Sequence, residues 1–388
     1  MQDPICGMSV SEKSSLRLTV SGQTYYFCSE HCLKKFASQN KVDADMVSSC
    51  AGSTSLPWYK NKTLLTAAIL LLLYVSSYFL PILGPFKQSL TMYFQKAWWA
   101  IALGLILGGI IDYLVPREYI SYVLARRKKR TIVYSVMLGF LMSVCNHGIL
   151  AISMELYKKG ASTSAVIAFL LASPWANLPI TLMLIGFFGF LKAIYIIVVA
   201  IIIALVTGYI YQFLERRQLV ETNSQSLMFE EDFSIMKDIQ KRWSDVEFSS
   251  DYLKETAHGI YGGVVALSNM VLWWILIGIG IASFAGAYIP PHFFHQYMGP
   301  TVLGLVVTLI MATILEVCSE GTAPLAFEIF RQTGALGNSL VFLMAGVATD
   351  YTEIGLIWHN IGRRAALWLP AITVPQIILF GILANIIF

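Results

Sequence analysis

Apolar residues in this chain fall in long unbroken runs, without the strict two-residue alternation of a membrane barrel strand. Runs of about 20 such residues cross a bilayer as helices, because only helices or closed barrels satisfy the backbone there. The pattern predicts a first helix from about Thr63 to Leu83, with Pro81 and Pro85 helping to end it. A second runs from about Ala97 to Val115 and opens with Trp98-Trp99, residues suited to the bilayer interface. The basic run RRKKR follows at Arg126 to Arg130. Beyond it, apolar stretches are cut by CNHG (Cys145 to Gly148), KKGAS (Lys158 to Ser162) and SPWANLP (Ser173 to Pro179). A run from Ala193 to Phe213 ends at Glu215-Arg216-Arg217, and a mixed-charge segment reaches about His258. A second apolar block begins near Gly259 and breaks at Pro290-Pro291, at CSEGTAP (Cys318 to Pro324) and near Gly346 to Asp350. A last run covers Ala365 to Phe388.

The two blocks resemble each other. At an offset of 173 residues Gly148 meets Gly321, Glu155 meets Glu328, Phe169 meets Phe342 and Asn177 meets Asp350. Upstream, at 175, Trp98-Trp99 meets Trp273-Trp274, and Tyr113, Pro116 and Tyr122 meet Tyr288, Pro291 and Tyr297. Duplicated halves with broken helices are a common transporter plan. RRKKR has no basic counterpart in PPHFFHQYMGP, which favours an inverted repeat, while Lys192 and Arg363-Arg364, in similar places in the two halves, leave a parallel repeat open. The expected fold is mainly α: a polytopic α-helical membrane protein of about 8–10 spans or broken and re-entrant helices. It would be built from an internal duplication, with a small α+β N-terminal metal-binding domain. The expected divisions are residues 1–45 for that domain, 46–62 for a linker, 63–213 for the first membrane half, 214–258 for a soluble linker and 259–388 for the second half.

Composition agrees with a membrane chain: 56% hydrophobic and only 13% charged, against about 25% charged in soluble domains. A net charge of +4 gives no reason to expect a nucleic-acid partner. Met1 to Met8 is neither basic nor apolar, so no signal peptide is expected. Two spans before RRKKR place the N-terminal domain in the cytoplasm with that loop, where thiols stay reduced.

Cys6, Cys28 and Cys32 form a spaced trio in the head; three thiolates suit a soft ion such as Zn, Cu, Hg(II) or trivalent arsenic. The stretch DPICGM…GQTYYFCSEHCLKKF resembles the YHS/TRASH family of metal-binding domains, which implies a metal ion on those cysteines. The alternatives are a structural zinc and a sensing or delivery role. Within the membrane region, Cys145-x-x-Gly148, Gly160-Ala161-Ser162, FLLASPWANLP, CSEGTAPLA and FLMAGVATDYTEIG resemble the ArsP-type predicted permeases. That implies a plasma-membrane, multi-pass permease; some members are similar to exporters of trivalent organoarsenicals. Ala151 departs from the family's proline, which the second half keeps as Pro324.

The candidate substrate pathway is Cys145, Asn146, His147, Gly148, Pro174, Asn177, Cys318, Ser319, Glu320, Gly321, Pro324 and Asp350. Its two thiols suit a thiophilic solute, while His147 and Glu320 are candidates for proton coupling. For Glu155 and Glu328 an interfacial ion pair with nearby Lys158-Lys159 and Arg331 is the favoured reading, and His292 and His295 are read as part of an ordinary loop. No GxxxxGK[ST], HExxH or nucleophile elbow is present, so the chain is not expected to be an enzyme. The leading function is a secondary transporter exporting a soft metal, metalloid or small thiophilic solute. The alternative is a membrane-anchored metal-binding or assembly protein that hands metal to a partner. The expected partners are the lipid bilayer and the solute, and a homo-oligomer is left open.

Overall fold

The computed structural model describes residues 17–20, 23–26, 36, 61–114, 130–142, 146–158, 160–223, 250–315 and 319–388. The chain divides into two units, Met1–Asn61 and Lys62–Phe388. In the first, β1 (Arg17–Val20) pairs antiparallel with β2 (Gln23–Tyr26), Arg17 opposite Tyr26. Leu18 is buried and the Tyr25 and Phe36 rings pack 4.8 Å apart.

The described part of the second unit is helical. Its elements are α1 (Lys62–Ser76), α2 (Gly84–Leu114), α3 (Thr131–Leu141), α4 (Asn146–Lys158), α5 (Thr163–Ala176), α6 (Leu178–Phe188) and α7 (Phe190–Arg216). Then come α8 (Ser250–Tyr288), α9 (Pro291–Met298), α10 (Val302–Ile314), α11 (Ser319–Thr333), α12 (Leu336–Thr349), α13 (Tyr351–Asn360) and α14 (Arg363–Ile387). Among the described residues five helices are long and apolar enough to cross a membrane, or seven spans if two bent pairs, 163–188 and 291–314, each count as one. The sequence expectation of about 8–10 counted spans together with broken or re-entrant helices; the two bent pairs and the shorter apolar helices α1 and α3, of 15 and 11 residues, stand beside the five long ones.

Two expectations are corrected. Pro85 does not help end a helix: it sits in the first turn of α2, where its missing N–H costs nothing. The helix therefore starts at Gly84, and Trp98-Trp99 lie along its middle. The PPHFFHQY stretch is no open loop but α9, with Pro291 as its first residue.

The helix starts repeat. Thr163, Leu178 and Phe190 open three consecutive helices, and Leu336, Tyr351 and Arg363 open three more, each 173 residues later; the described parts of α4 and α11 begin at Asn146 and Ser319, the same interval apart. Contacts give their directions. Glu215, closing α7, accepts from Thr163 N and Ser164 Oγ at the start of α5, at 2.9 and 2.6 Å. Tyr211 Oη on α7 donates to Ala365 O at the start of α14 (2.6 Å), while Tyr195 near the start of α7 reaches Phe380 O near the end of α14 (3.2 Å). Gly337 N at the start of α12 donates to Asn385 Oδ1 at the end of α14. So α5–α6 and α14 run from an Arg130 end toward a Gly189 end, and α7 and α12–α13 run back. Each helix of the second set is antiparallel to its counterpart in the first. At the Gly189 end the α6–α7 turn needs φ +81°, a left-handed value natural only to glycine.

The α3–α4 pair forms a hairpin. Thr131 lines a cavity with Ser162, Glu215 and Asn223, and Asn223 Nδ2 donates to Tyr157 O and Ala161 O at the far end of α4. Both feet therefore stand at the Arg130 end. The α10–α11 pair stands at the other: Asn338 Nδ2 reaches Gly299 O just before α10, and Ala335, just after α11, opens α12. At 1.5 Å per residue these arms, 11 to 15 residues long, reach only partway through a core of about 30 Å.

Candidate functional site

The broken spans place two polar caps inside the apolar core. Asn177, fully buried, accepts from Ile180 N at 2.9 Å and so starts α6. Asp350, 5% exposed, accepts from Thr352 N (2.6 Å), Thr352 Oγ1 (2.7 Å) and Glu353 N (3.4 Å) and starts α13. These are the pair matched at the 173 offset. Side-chain oxygens are needed because a helix start leaves backbone N–H groups without partners, which is costly away from water.

Asn177 does a second job. Its Nδ2 donates to Glu320 Oε1 at 3.3 Å, across 143 residues of sequence. Glu320 lies in the first turn of α11 and is 1% exposed. The α5–α6 break thus touches the first turn of α11. Gly321 is buried next to it and allows close approach of α8: a Cβ on Gly278 would lie 2.2 Å from Gly321 O. Pro174 is buried within α5 and Pro324 within α11; neither breaks its helix.

Asn146, His147 and Gly148 form the first turn of α4, and Ser319 opens α11; their side chains fall outside the described residues. Cys145 and Cys318 lie outside them too, in the segments between the arms of the two hairpins, as do Cys6, Cys28 and Cys32. Among the described residues no group of three or more His, Cys, Asp or Glu is arranged to hold a metal.

Glu328 does pair with Arg331, at 2.6 Å. It also accepts from Gln332 Nε2 (2.7 Å) and from the Tyr93 hydroxyl on α2. The carboxylate is 1% exposed, so this is a buried network and not the interfacial pair expected from the sequence. Phe327 stacks on Phe187 at 5.2 Å beside it, tying α11 to α6. Tyr93 carried no signal in the sequence, being a lone tyrosine on an apolar helix. The Glu215 and Glu221 caps were equally unmarked. Glu221 accepts from Arg364 N (2.9 Å) and Ala365 N (2.8 Å) at the start of α14. Burial works to raise its carboxyl, but these amides and the Arg364 charge outweigh that and hold it below the usual value. A polar cavity of about 210 Å³ opens among the starts of α3 and α5, the end of α7 and Thr222-Asn223. No residue of the two breaks lines it.

The model of the ArsP predicted permeases matches residues 86–386 of this chain. The chain belongs to this permease family. A YHS domain model matches residues 1–41. The permease is 23% identical over 261 residues to a putative two-component membrane permease complex subunit of Streptococcus mutans, covering 66% of this chain and 79% of that protein. It is 24% identical over 269 residues to the UPF0718 protein YcgR of Bacillus subtilis (68% and 84%). The UPF0718 protein MJ0584 of Methanocaldococcus jannaschii is 21% identical over 341 residues (74% and 91%). No solved structure matches. Family and apolar helices together make the permease a multi-pass membrane protein.

Proposed function

We propose that this permease is a secondary transporter that exports a soft metal, metalloid or related thiophilic solute, such as a trivalent organoarsenical. The observation that carries the reading is the buried Asn177–Glu320 contact between a helix break and a re-entrant arm. Irregular backbone at membrane depth is stable only where it is buried in protein or lines a cavity, and transporters set such breaks around a central site. The recurring helix starts and their opposed directions support an ancestral duplication with inverted halves. Cys145 and Cys318, each just before a re-entrant return helix, are the proposed ligands for cargo, with Glu320 and His147 as proton carriers. Lys158, Arg216, Arg217, Arg363 and Arg364 join Arg130 at one end, which we take as cytoplasmic. The head is assigned to the same side, where Cys6, Cys28 and Cys32 would hold a Zn, Cu or other soft ion and capture or sense cargo. The Streptococcus relative's description as a subunit of a two-component complex suggests that a second subunit takes part.

The test is flux into proteoliposomes across methylated arsenite, antimonite, Hg, Cu and Zn. Saturable flux of at least one of these supports the transporter. Metal bound at the head with no flux of any of them, in protein that is folded and inserted, favours the membrane-anchored metal-handling alternative.

A further inference from the structure

The polar cavity at the Arg130 end stands apart from both helix breaks, and the transport reading makes no use of it. Its volume of about 210 Å³ is more than ten times the roughly 10–15 Å³ that one water needs, so it has room for a small organic group. One wall is fixed by its own hydrogen bonds. Glu215 accepts from Thr163 N and Ser164 Oγ, and Ser162 Oγ accepts from Ala165 N at 3.3 Å and lies 3.2 Å from Ser164 Oγ. A carboxylate has about four acceptor positions, so Glu215 keeps about two for a further donor.

The other wall is open. Gln212 is half-buried and Arg216 exposed, and neither side chain has a hydrogen-bond or ion-pair partner among the described residues. Gln212, Glu215 and Arg216 stand at i, i+3 and i+4 on the last turn of α7, so they share one face. A carboxylate with spare acceptors and a guanidinium without a partner thus present opposite charges to one small volume. A simple anion would meet Glu215 there and a simple cation would meet Arg216, and like charges brought together are costly.

We infer that this cavity binds a small zwitterion, with its ammonium on Glu215, its phosphate or carboxylate on Arg216, and the Gln212 amide between them. Two sources share this chemistry: the ethanolamine phosphate headgroup of a membrane lipid, and a free solute of the amino-acid class. Tyr134 and Phe213, exposed on the neighbouring turns of α3 and α7, would let the acyl chains of such a lipid lie alongside. The site does not depend on the cargo reading, because no residue of either break lines it.

The test titrates the full-length protein in detergent micelles with phosphatidylethanolamine, phosphoethanolamine, alanine and, as the anionic control, phosphatidylglycerol. Native mass spectrometry reads occupancy. At least one of the three zwitterions is expected to saturate a single site. Arg216→Gln and Glu215→Gln should each weaken it about tenfold or more, as loss of one charge-assisted hydrogen bond does. Glu215 also caps α5, so Gln212→Leu, expected to weaken binding about fivefold, replaces Glu215→Gln where that variant fails to fold. Saturation by phosphatidylethanolamine alone assigns the site to lipid, and saturation by phosphoethanolamine or alanine assigns it to a free solute; either supports the inference. No saturable binding of any zwitterion, or affinities that the variants leave unchanged, overturns it. So does phosphatidylglycerol bound as tightly as the tightest zwitterion.

Discussion

The Asn177–Glu320 contact can be weighed by a double-mutant cycle. Asn177→Ala removes two things: the cap on α6, which costs about 1 kcal/mol, and the donor to Glu320. A hydrogen bond to a carboxyl is worth about 1 to 3 kcal/mol, depending on charge. At 3.3 Å this one is longer than the 2.7–2.9 Å typical of charge-assisted pairs, so the lower part of that range applies, about 1.5 kcal/mol. Asn177→Ala alone should therefore destabilise by about 2.5 kcal/mol. In a Glu320→Ala background it should cost only the cap, about 1 kcal/mol. The cycle isolates the difference, because the cap term occurs on both sides. Reversible unfolding in mixed detergent micelles supplies the four free energies. A coupling below about 0.5 kcal/mol, the usual scatter for independent sites, would refute a direct bond between the two halves.

Four further outcomes are expected. Gly278→Ala should cost about 1 to 3 kcal/mol of stability, because a Cβ there meets the Gly321 backbone, whereas Gly262→Ala, with nothing within 4 Å, should lack this clash and stay within about 1 kcal/mol; thermal unfolding of the two compares them. Arg331→Met should cost about 3 to 5 kcal/mol by stripping a buried carboxylate of its charge partner, and Tyr93→Phe only about 1 to 2, since Arg331 and Gln332 remain; the reverse order in unfolding would contradict the network. Glu221 has a folded pKa below its ordinary 4.5, so its stabilisation is present above that value and lost as pH falls through the lower one. The small gap in melting temperature between the parent and Glu221→Gln should thus close on acidification, and a gap that widens would be contrary. In the head, replacing Cys6, Cys28 and Cys32 together with Ser should abolish the sulfur-to-metal charge-transfer band seen on titration with Hg(II).

Local patterns showed most of what the sequence could tell about this fold. Apolar runs located the long helices, and the matched identities gave an offset of 173 that reappears in the helix starts. The Glu328–Arg331 pair was legible because residues three apart share a helix face. Pro85 and Pro291 misled because a proline that ends one helix equally well begins the next. What stayed hidden joins residues far apart in sequence: Tyr93 with Glu328, Asn177 with Glu320, Glu221 with Arg364. Ser173 was hidden for another reason: hydroxyl side chains on apolar helices commonly bond back to their own helix, as Thr308, Thr313, Thr349 and Thr373 do here, so nothing in the sequence marks one that donates elsewhere, as Ser173 does to Met142 O. Among the candidate pathway residues, the described side chains of Asn177 and Glu320 meet, and Asp350 serves as the matching cap.

The central claim is that thiophilic cargo crosses through a site held by the breaks of both halves. Its most direct test is the initial rate of methylated arsenite uptake into inverted proteoliposomes, parent against the Cys145→Ser and Cys318→Ser double variant. Both proteins must first give the same unfolding midpoint. The account predicts saturable uptake in the parent and loss of at least about tenfold in the variant, as expected when about 1.4 kcal/mol or more of ligation is removed. Equal uptake by the two proteins would contradict it.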